Sequence, residues 1–348
     1  MFDNKTNDNS LGELGEFGLI DHLTQNISLK HSSSLKGVGD DAAVIDPEGK
    51  TMVMTTDILV ENVHFDLSYV PLKHLGYKAV VVNLSDIFAM NAIPKQIVVS
   101  MAISSKFTLD AVEELYAGML LACDFYNVDL VGGDTTSSSL GLIINVTAIG
   151  WADKEDLVYR SGACYNDLIC VTGDLGAAYM GLQLLNREKV VYQQNPGVQP
   201  ELDGYDYLLE RQLKPEARNG LIHLLKESDV KPTSMIDVSD GMASELMHIC
   251  KASNCGCQIY EEKVPIDHLT RQLCMEFGID PTTAALNGGE DYELLFTISL
   301  VDYEKMKDKT EIAIIGHITD KAAGCKMVDR QENVHELKAQ GWDSFRKK

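Results

Sequence analysis

Short acidic clusters recur along this 348-residue chain: Gly39-Asp40-Asp41, Thr55-Thr56-Asp57, Asn83-Leu84-Ser85-Asp86, Gly132-Gly133-Asp134, Asp237-Val238-Ser239-Asp240-Gly241, Gly288-Gly289-Glu290-Asp291 and a looser Gly173-Asp174. Most set a carboxylate beside Gly, Ser or Thr, a composition suited to binding hard cations through oxygen where the backbone turns. Mg²⁺ keeps several waters and takes one or two protein carboxylates, so acids on this many segments imply more than one ion. Two or three such ions can neutralise a triphosphate and a phosphoryl group in transfer. The chain has no Gly-x-x-x-x-Gly-Lys-Ser/Thr loop, no kinase-type His-Arg-Asp or Asp-Phe-Gly and no His-Glu-x-x-His. ATP bound here would rely on metal ions in place of a P-loop lysine.

Each cluster also has a plainer reading. Gly37-x-Gly39-x-x-Ala42 formally matches a dinucleotide fingerprint, but no strand precedes it and two acids stand where a pyrophosphate would approach. Gly-Asp and Gly-Gly-Asp are common turns, and Asp240-Gly241 before a helix suits an N-cap. His64, between Val63 and Phe65, also reads as a core histidine, Arg160 as a surface charge and Trp342 as a packing aromatic. Asp86 differs, because an acid on a largely apolar helix face needs a partner if it is buried.

The elements that must position these residues follow from periodicity. Strands are expected at 42–45 and at 51–56, the second ending at Asp57, and a helix from Leu72 to Ala92 that sets Asn83, Asp86 and Met90 on one face. Strands at 96–103, 128–131 and 140–150 and a helix from Leu109 to Tyr126 complete a first unit, with a glycine turn after each strand. A second unit follows: a strand at 167–172, a helix opening at Gly173, a loop or insertion from Gln193 to Tyr207, helices at 215–226 and 241–252, and strands at 234–238 and 292–298. The pattern predicts two α+β units, 12–151 and 152–348, that deliver acids at element junctions.

The formal charge is −22, from 52 acidic and 30 basic residues, with no Lys/Arg-rich run. Such a chain repels nucleic-acid phosphates, which argues against a nucleic-acid partner. The eight cysteines are scattered and read as reduced thiols rather than a disulfide framework. Residues 1–10 lack the basic start and apolar stretch of a signal peptide, and no run of about 18 apolar residues occurs. A cytoplasmic protein with no membrane partner is expected.

In order, Gly15-Glu16-Phe17-x-Leu19-Ile20, Gly37-Val38-Gly39-Asp40-Asp41-Ala42-Ala43, Thr55-Thr56-Asp57-x-Leu59-Val60-Glu61-x-Val63-His64-Phe65, Asn83-Leu84-Ser85-Asp86, Gly132-Gly133-Asp134-Thr135-Thr136, Arg160-Ser161-Gly162-Ala163, Ile236-Asp237-Val238-Ser239-Asp240-Gly241 and Gly288-Gly289-Glu290-Asp291-Tyr292-Glu293-Leu294 resemble the thiamine-monophosphate kinases. The resemblance runs from about residue 15 to Trp342. Within the superfamily shared with aminoimidazole ribonucleotide synthetase, two siblings lack support. No cysteine precedes Cys123, where a selenophosphate synthetase carries its reactive residue, and the chain lacks the terminal cysteine of the hydrogenase-maturation protein.

The resemblance implies the two-domain α/β (α+β) fold of aminoimidazole ribonucleotide synthetase, with an N-terminal sheet domain for metal, nucleotide and dimerisation, and a C-terminal α/β domain. It implies transfer of phosphate from ATP, the co-substrate, directly to thiamine monophosphate with several Mg²⁺ ions, in a homodimer joined through the N-terminal sheets. Carried over by motif, Asp41, Thr55, Thr56, Asp57, Asp86, Asp134, Asp237 and Asp240, with Asp40 close by, would handle metals. Gly133, Asp134, Arg160 and Ser239 would touch ATP, and His64, Glu290 and Trp342 the thiamine moiety. No general base is implied. The family often has tyrosine or phenylalanine where Trp342 stands, so an aromatic face is retained.

Overall fold

The computed structural model describes residues 22–36 and 44–340, so Asp40, Asp41 and Trp342 lie outside the described residues. The chain divides into two compact units, one formed by residues 1–83 and 94–151 and the other by residues 84–93 and 152–348.

In the first unit, β1 (Ser34–Lys36) pairs antiparallel with β2 (Val44–Ile45). β3 (Thr51–Val60) leads to helix α1 (Leu72–Ala89), whose residues from Leu84 onward count with the second unit. β4 (Ile93–Ser104), α2 (Leu109–Tyr126), β5 (Asp129–Ser138) and β6 (Ile143–Ala152) follow, and the four long strands form a sheet in the order β3-β6-β4-β5 with β4 and β5 parallel. α2 has the boundaries its apolar spacing predicts. The Thr108 hydroxyl accepts from the Ala111 N–H at its start, and Asn127 takes a left-handed conformation at its end. Burial alternates along β4 and β6, as expected of strands with one face on a core.

In the second unit come β7 (Leu168–Thr172), α3 (Ala177–Gln194), α4 (Asp206–Leu213), α5 (Asn219–Glu227), β8 (Ser234–Asp237), α6 (Met242–Ser253), β9 (Gly256–Tyr260), α7 (His268–Phe277), α8 (Pro281–Asn287), β10 (Leu294–Ile298), α9 (Tyr303–Met306), β11 (Ile312–Thr319), β12 (Cys325–Val328) and β13 (Val334–Glu336). Seven strands form a mixed sheet in the order β13-β12-β9-β11-β7-β10-β8. Its centre is buried on both faces, and all five residues of β10 are buried. Ile169, Val171 and Leu295 pack with Leu246 and Ile249 of α6 in one core, while Met180, Leu184, Leu208 and Leu273 join α3, α4 and α7 in a second.

Three expectations need correction. β3 does not end at Asp57 but runs on to Val60, because its pairing with the neighbouring β6 continues past Asp57 and is followed by the Glu61 N–H on the Leu142 carbonyl at 3.0 Å. Gly132 and Gly133 are not a turn but lie inside β5. A Cβ on Gly133 would meet the Val99 carbonyl oxygen at 2.1 Å, so the close approach of β4 accounts for that glycine. The presumed loop from Gln193 to Tyr207 shrinks, since α3 extends to Gln194 and α4 opens at Asp206.

Candidate active site

In the first unit the candidate residues sit on β3, β5 and the loop after β3. Alternation puts Thr55 and Asp57 on one face of β3 and Thr56 on the other. Thr56 lies in a ladder of hydroxyl and amide groups, donating to the Val146 carbonyl at 3.2 Å and lying 3.0 Å from the Thr147 hydroxyl. On the opposite face, Asn83 is wholly buried in α1; its carboxamide oxygen accepts from Asp57 and its amide donates to the Ala79 carbonyl at 3.1 Å. This clamp fixes the Asp57 backbone. Asp134 and Gly133 are exposed on β5, where Asp134 is in register with Ser100.

His64 is only partly buried, against its reading as a core residue. Its Nδ1 accepts from the Val60 N–H at 3.0 Å, which leaves the proton of the neutral ring on Nε2. The turn that presents it is closed by Asn62, which holds a left-handed φ of 64° and donates its N–H to the Phe65 carbonyl at 2.8 Å.

The second unit gathers more of the candidates. Asp237 ends β8, buried, and accepts from the Ser85 hydroxyl at 2.7 Å. Ser239 and Asp240 follow in the bend before α6, whose N-cap is Gly241 at φ 120° with no side-chain cap. Asp240 is therefore not the N-cap. Its N–H donates to Glu245 Oε1 at 3.3 Å. Burial pushes the Glu245 carboxyl up to about 7; the Asp240 N–H opposes this, the negative charge of Asp240 adds to it, Arg160 opposes it and Asp86 adds to it. The charges of Asp240, Arg160 and Asp86 thus all act on Glu245, with Asp237 just before Asp240 in the chain. Glu245 is absent from the sequence-based set. An acid in the first turn of a predicted helix, able to reach back to the turn before it, was the available signal.

Glu290 belongs to a loop stitched onto that bend: its N–H donates to the Ser239 carbonyl at 2.7 Å, and the Tyr292 N–H to the Val238 carbonyl at 2.9 Å. A Cβ on Gly289 would meet the Ser239 oxygen at 2.5 Å, and Glu290 and Tyr292 both hold positive φ, 65° and 50°. Two such non-glycine residues in one short loop store strain where candidate binding groups stand. The Glu290 carboxylate accepts from the Gln212 amide at 2.7 Å.

Behind the loop lies a second polar network that the sequence did not reveal. Glu293, wholly buried, pairs with Arg211 at 2.8 Å, takes both Nε and Nη2 of Arg218, the former at 2.6 Å, and accepts from the Thr172 hydroxyl at 2.6 Å. Asp291 lies 3.6 Å from Arg211 and accepts the Gly176 N–H at 2.8 Å, so it caps the start of α3. Asp174, named at first as a loose acidic turn, accepts from the Tyr207 hydroxyl, and its backbone carbonyl accepts from Arg211 at 3.0 Å.

The donor chemistry of Asp86, Asp237 and Asp240 fits Mg²⁺: hard carboxylate oxygens carried by different elements, with the charges of Asp86 and Asp240 both felt by Glu245. The Asp291 and Glu293 group does not, because arginines already occupy its oxygens.

Residues 39–152 match the family described as AIR synthase related protein, N-terminal domain. Thiamine-monophosphate kinase of Bacillus subtilis is 36% identical over 339 residues, covering 96% of this chain and all of the relative. Among solved structures, thiamine-monophosphate kinase from Stenotrophomonas maltophilia superposes with a TM-score of 0.77 at 31% identity, over 91% of this chain and 97% of that one. A second, AaThiL complexed with AMPPCP and TMP, gives a TM-score of 0.73 at 32% identity, over 95% and 97%.

Proposed function

Because the chain belongs to the thiamine-monophosphate kinase family, we propose that it transfers the γ-phosphoryl group of ATP to the phosphate of thiamine monophosphate, giving thiamine diphosphate and ADP. The observation that carries the reading is the gathering of Asp240, Arg160 and Asp86 close enough to Glu245 for their charges to act on it, with Asp237 just before Asp240 in the chain. AaThiL, whose structure holds AMPPCP and TMP, supports an ATP-type donor and a phosphate-bearing acceptor.

Asp41, Thr55, Thr56, Asp57, Asp86, Asp134, Asp237 and Asp240, with Asp40, would hold several Mg²⁺ ions. Bound there, magnesium supplies charge neutralisation for the transferring phosphoryl group. Gly133, Asp134, Arg160 and Ser239 bind ATP, the guanidinium serving as a fixed cation toward phosphate oxygens. His64, Glu290 and Trp342 bind the thiamine end, where a carboxylate and an aromatic face suit a cationic thiazolium ring. The acceptor oxygen is ionised already, so direct in-line attack forms the new P–O bond as the bond to ADP breaks, with no general base and no phosphoenzyme.

Residues 12–151 form the domain for metal, nucleotide and dimerisation in this reading, and 152–348 the C-terminal domain. Met52, Met54 and Ile58 are 54%, 64% and 52% exposed along one face of β3, an apolar stripe that supports a homodimer through this sheet. No helix among the described residues is long and apolar enough to cross a membrane. Eight free thiols favour the reducing cytoplasm. Incubation with thiamine monophosphate and Mg-ATP should yield thiamine diphosphate and ADP in equal amounts. ATP consumption that releases orthophosphate, with no diphosphate product, would overturn the assignment.

A further inference from the structure

Three sulfur atoms, carried by α6, β9 and β12, meet in the second unit. The sulfurs of Cys250, Cys257 and Cys325 lie within 4.8 Å of one another. Their meeting is built by the sheet and one helix. β12 runs parallel to β9 with Cys325 in register with Cys257, so both side chains leave the same face. Cys250 lies in the last turn of α6, in the same core cluster as Cys257. The chain between them is pinned, since the Cys255 N–H donates to the Cys250 carbonyl at 3.0 Å and the Cys257 N–H to the Gly324 carbonyl at 3.1 Å. Cys255, two residues before Cys257, packs against the same cluster.

Buried cysteines also pack as small apolar side chains. Here, however, three sulfurs from a helix and two strands converge beside one apolar core, an arrangement that a soft cation completes.

We propose that Cys250, Cys257 and Cys325 form a three-thiolate zinc site, with Cys255 or a water as the fourth donor. Thiolates select soft d¹⁰ ions over the hard magnesium of the carboxylate cluster. Zinc fits the charge better than Cu(I): three thiolates around a dication leave one net negative charge, around a monocation two. At a Zn–S distance of about 2.3 Å, tetrahedral thiolates stand roughly 3.8 Å apart, so the sulfurs need close by no more than about an ångström. Cys325 is only partly buried and gives the ion its route in. On binding, each S–H exchanges its proton for a sulfur–metal bond and the protons leave to solvent, so no oxidant or reductant is involved.

The test uses the full-length protein, reduced and stripped with chelator, and Co²⁺ as the spectroscopic probe. Expected are one Co²⁺ per chain with a thiolate-to-cobalt charge-transfer band, displaced by one equivalent of Zn²⁺ and untouched by excess Mg²⁺, with protons released. Cys325→Ser, a near-isosteric change at a partly exposed position, should weaken Zn²⁺ binding at least 10-fold and erase the band. Cys164→Ser, at an exposed thiol outside the trio, should change neither, and far-UV spectra of both variants report folding. Absence of the band in the unaltered protein, its persistence in Cys325→Ser, or its displacement by Mg²⁺ would each overturn the proposal. Kinase activity is not the readout, so failure here and failure of the proposed reaction are separable.

Discussion

Two acidic neighbourhoods stand side by side in the second unit, and they differ in what balances them. In the first, burial lifts the Glu245 carboxyl to about 7, with the Asp240 N–H and Arg160 opposing and the charges of Asp240 and Asp86 adding. Around Arg211 and Arg218, Glu293 is held by two guanidinium groups and a hydroxyl, and Asp291 by backbone N–H groups. The first sets the charges of Asp86 and Asp240 on Glu245 against one arginine; the second sets its acids against two arginines and backbone donors. Carboxylate density alone therefore does not distinguish the two neighbourhoods; the number of arginines set against it does.

The contrast is sharpest in stability. Glu293→Gln leaves two buried or half-buried guanidinium groups facing a neutral amide, and should cost about 3–5 kcal/mol in urea unfolding. A loss below about 1 kcal/mol would place Glu293 outside the scaffold. Next in size is a pH effect at Asp291, whose carboxyl burial pushes up to about 7 from 3.8, with Arg211 opposing. The folded protein keeps this proton over a window where the unfolded chain has lost it. Stability from this residue is therefore present at low pH and declines as pH rises from about 4 to about 7, by on the order of 4 kcal/mol. Asp291→Asn should flatten that slope; an unchanged slope would refute the assignment.

In the Arg160 neighbourhood the loss should appear in turnover instead. Asp86→Asn and Asp240→Asn are expected to lower kcat by on the order of 100-fold with the melting temperature held or raised, since each relieves like-charge repulsion. Near-normal turnover at saturating Mg²⁺ in both would dissolve the comparison. The smallest effect is at Gln212, which orients Glu290 from α4. Gln212→Ala should raise the KM for thiamine monophosphate about 3–10-fold and leave the KM for ATP in place. A change confined to ATP would move Glu290 out of the substrate set.

Local signals in the sequence were enough for α2, because its cap at Thr108 and its left-handed stop at Asn127 adjoin an unbroken apolar period. They misled at Gly132-Gly133, where the glycine answers to the carbonyl of Val99 on another strand rather than to a turn. The acids were legible as types, and the structure brings Asp86, Asp237, Ser239, Asp240, Arg160 and Glu290 into one unit. What the sequence hid was which groups hold the acids, because those partners are remote: Arg218 reaches Glu293 across 75 residues and Ser85 reaches Asp237 across 152. The cysteine trio was hidden for the same reason, since Cys325 meets Cys257 only through the register of two strands.

The order of strands in the larger sheet also sets a timetable for biosynthesis. β7 is central, yet both its neighbours, β10 and β11, are encoded more than a hundred residues later. Asp291, which caps α3, trails Gly176 by 115 residues. While the ribosome makes the intervening segment, an apolar strand with both edges open and a helix with an uncapped start must wait unpaired. Such long-range closure is slow and leaves sticky intermediates. Fragments ending before residue 294 should therefore aggregate or require chaperone shelter, and the C-terminal strands are as necessary to the solubility of the nascent chain as to its final form.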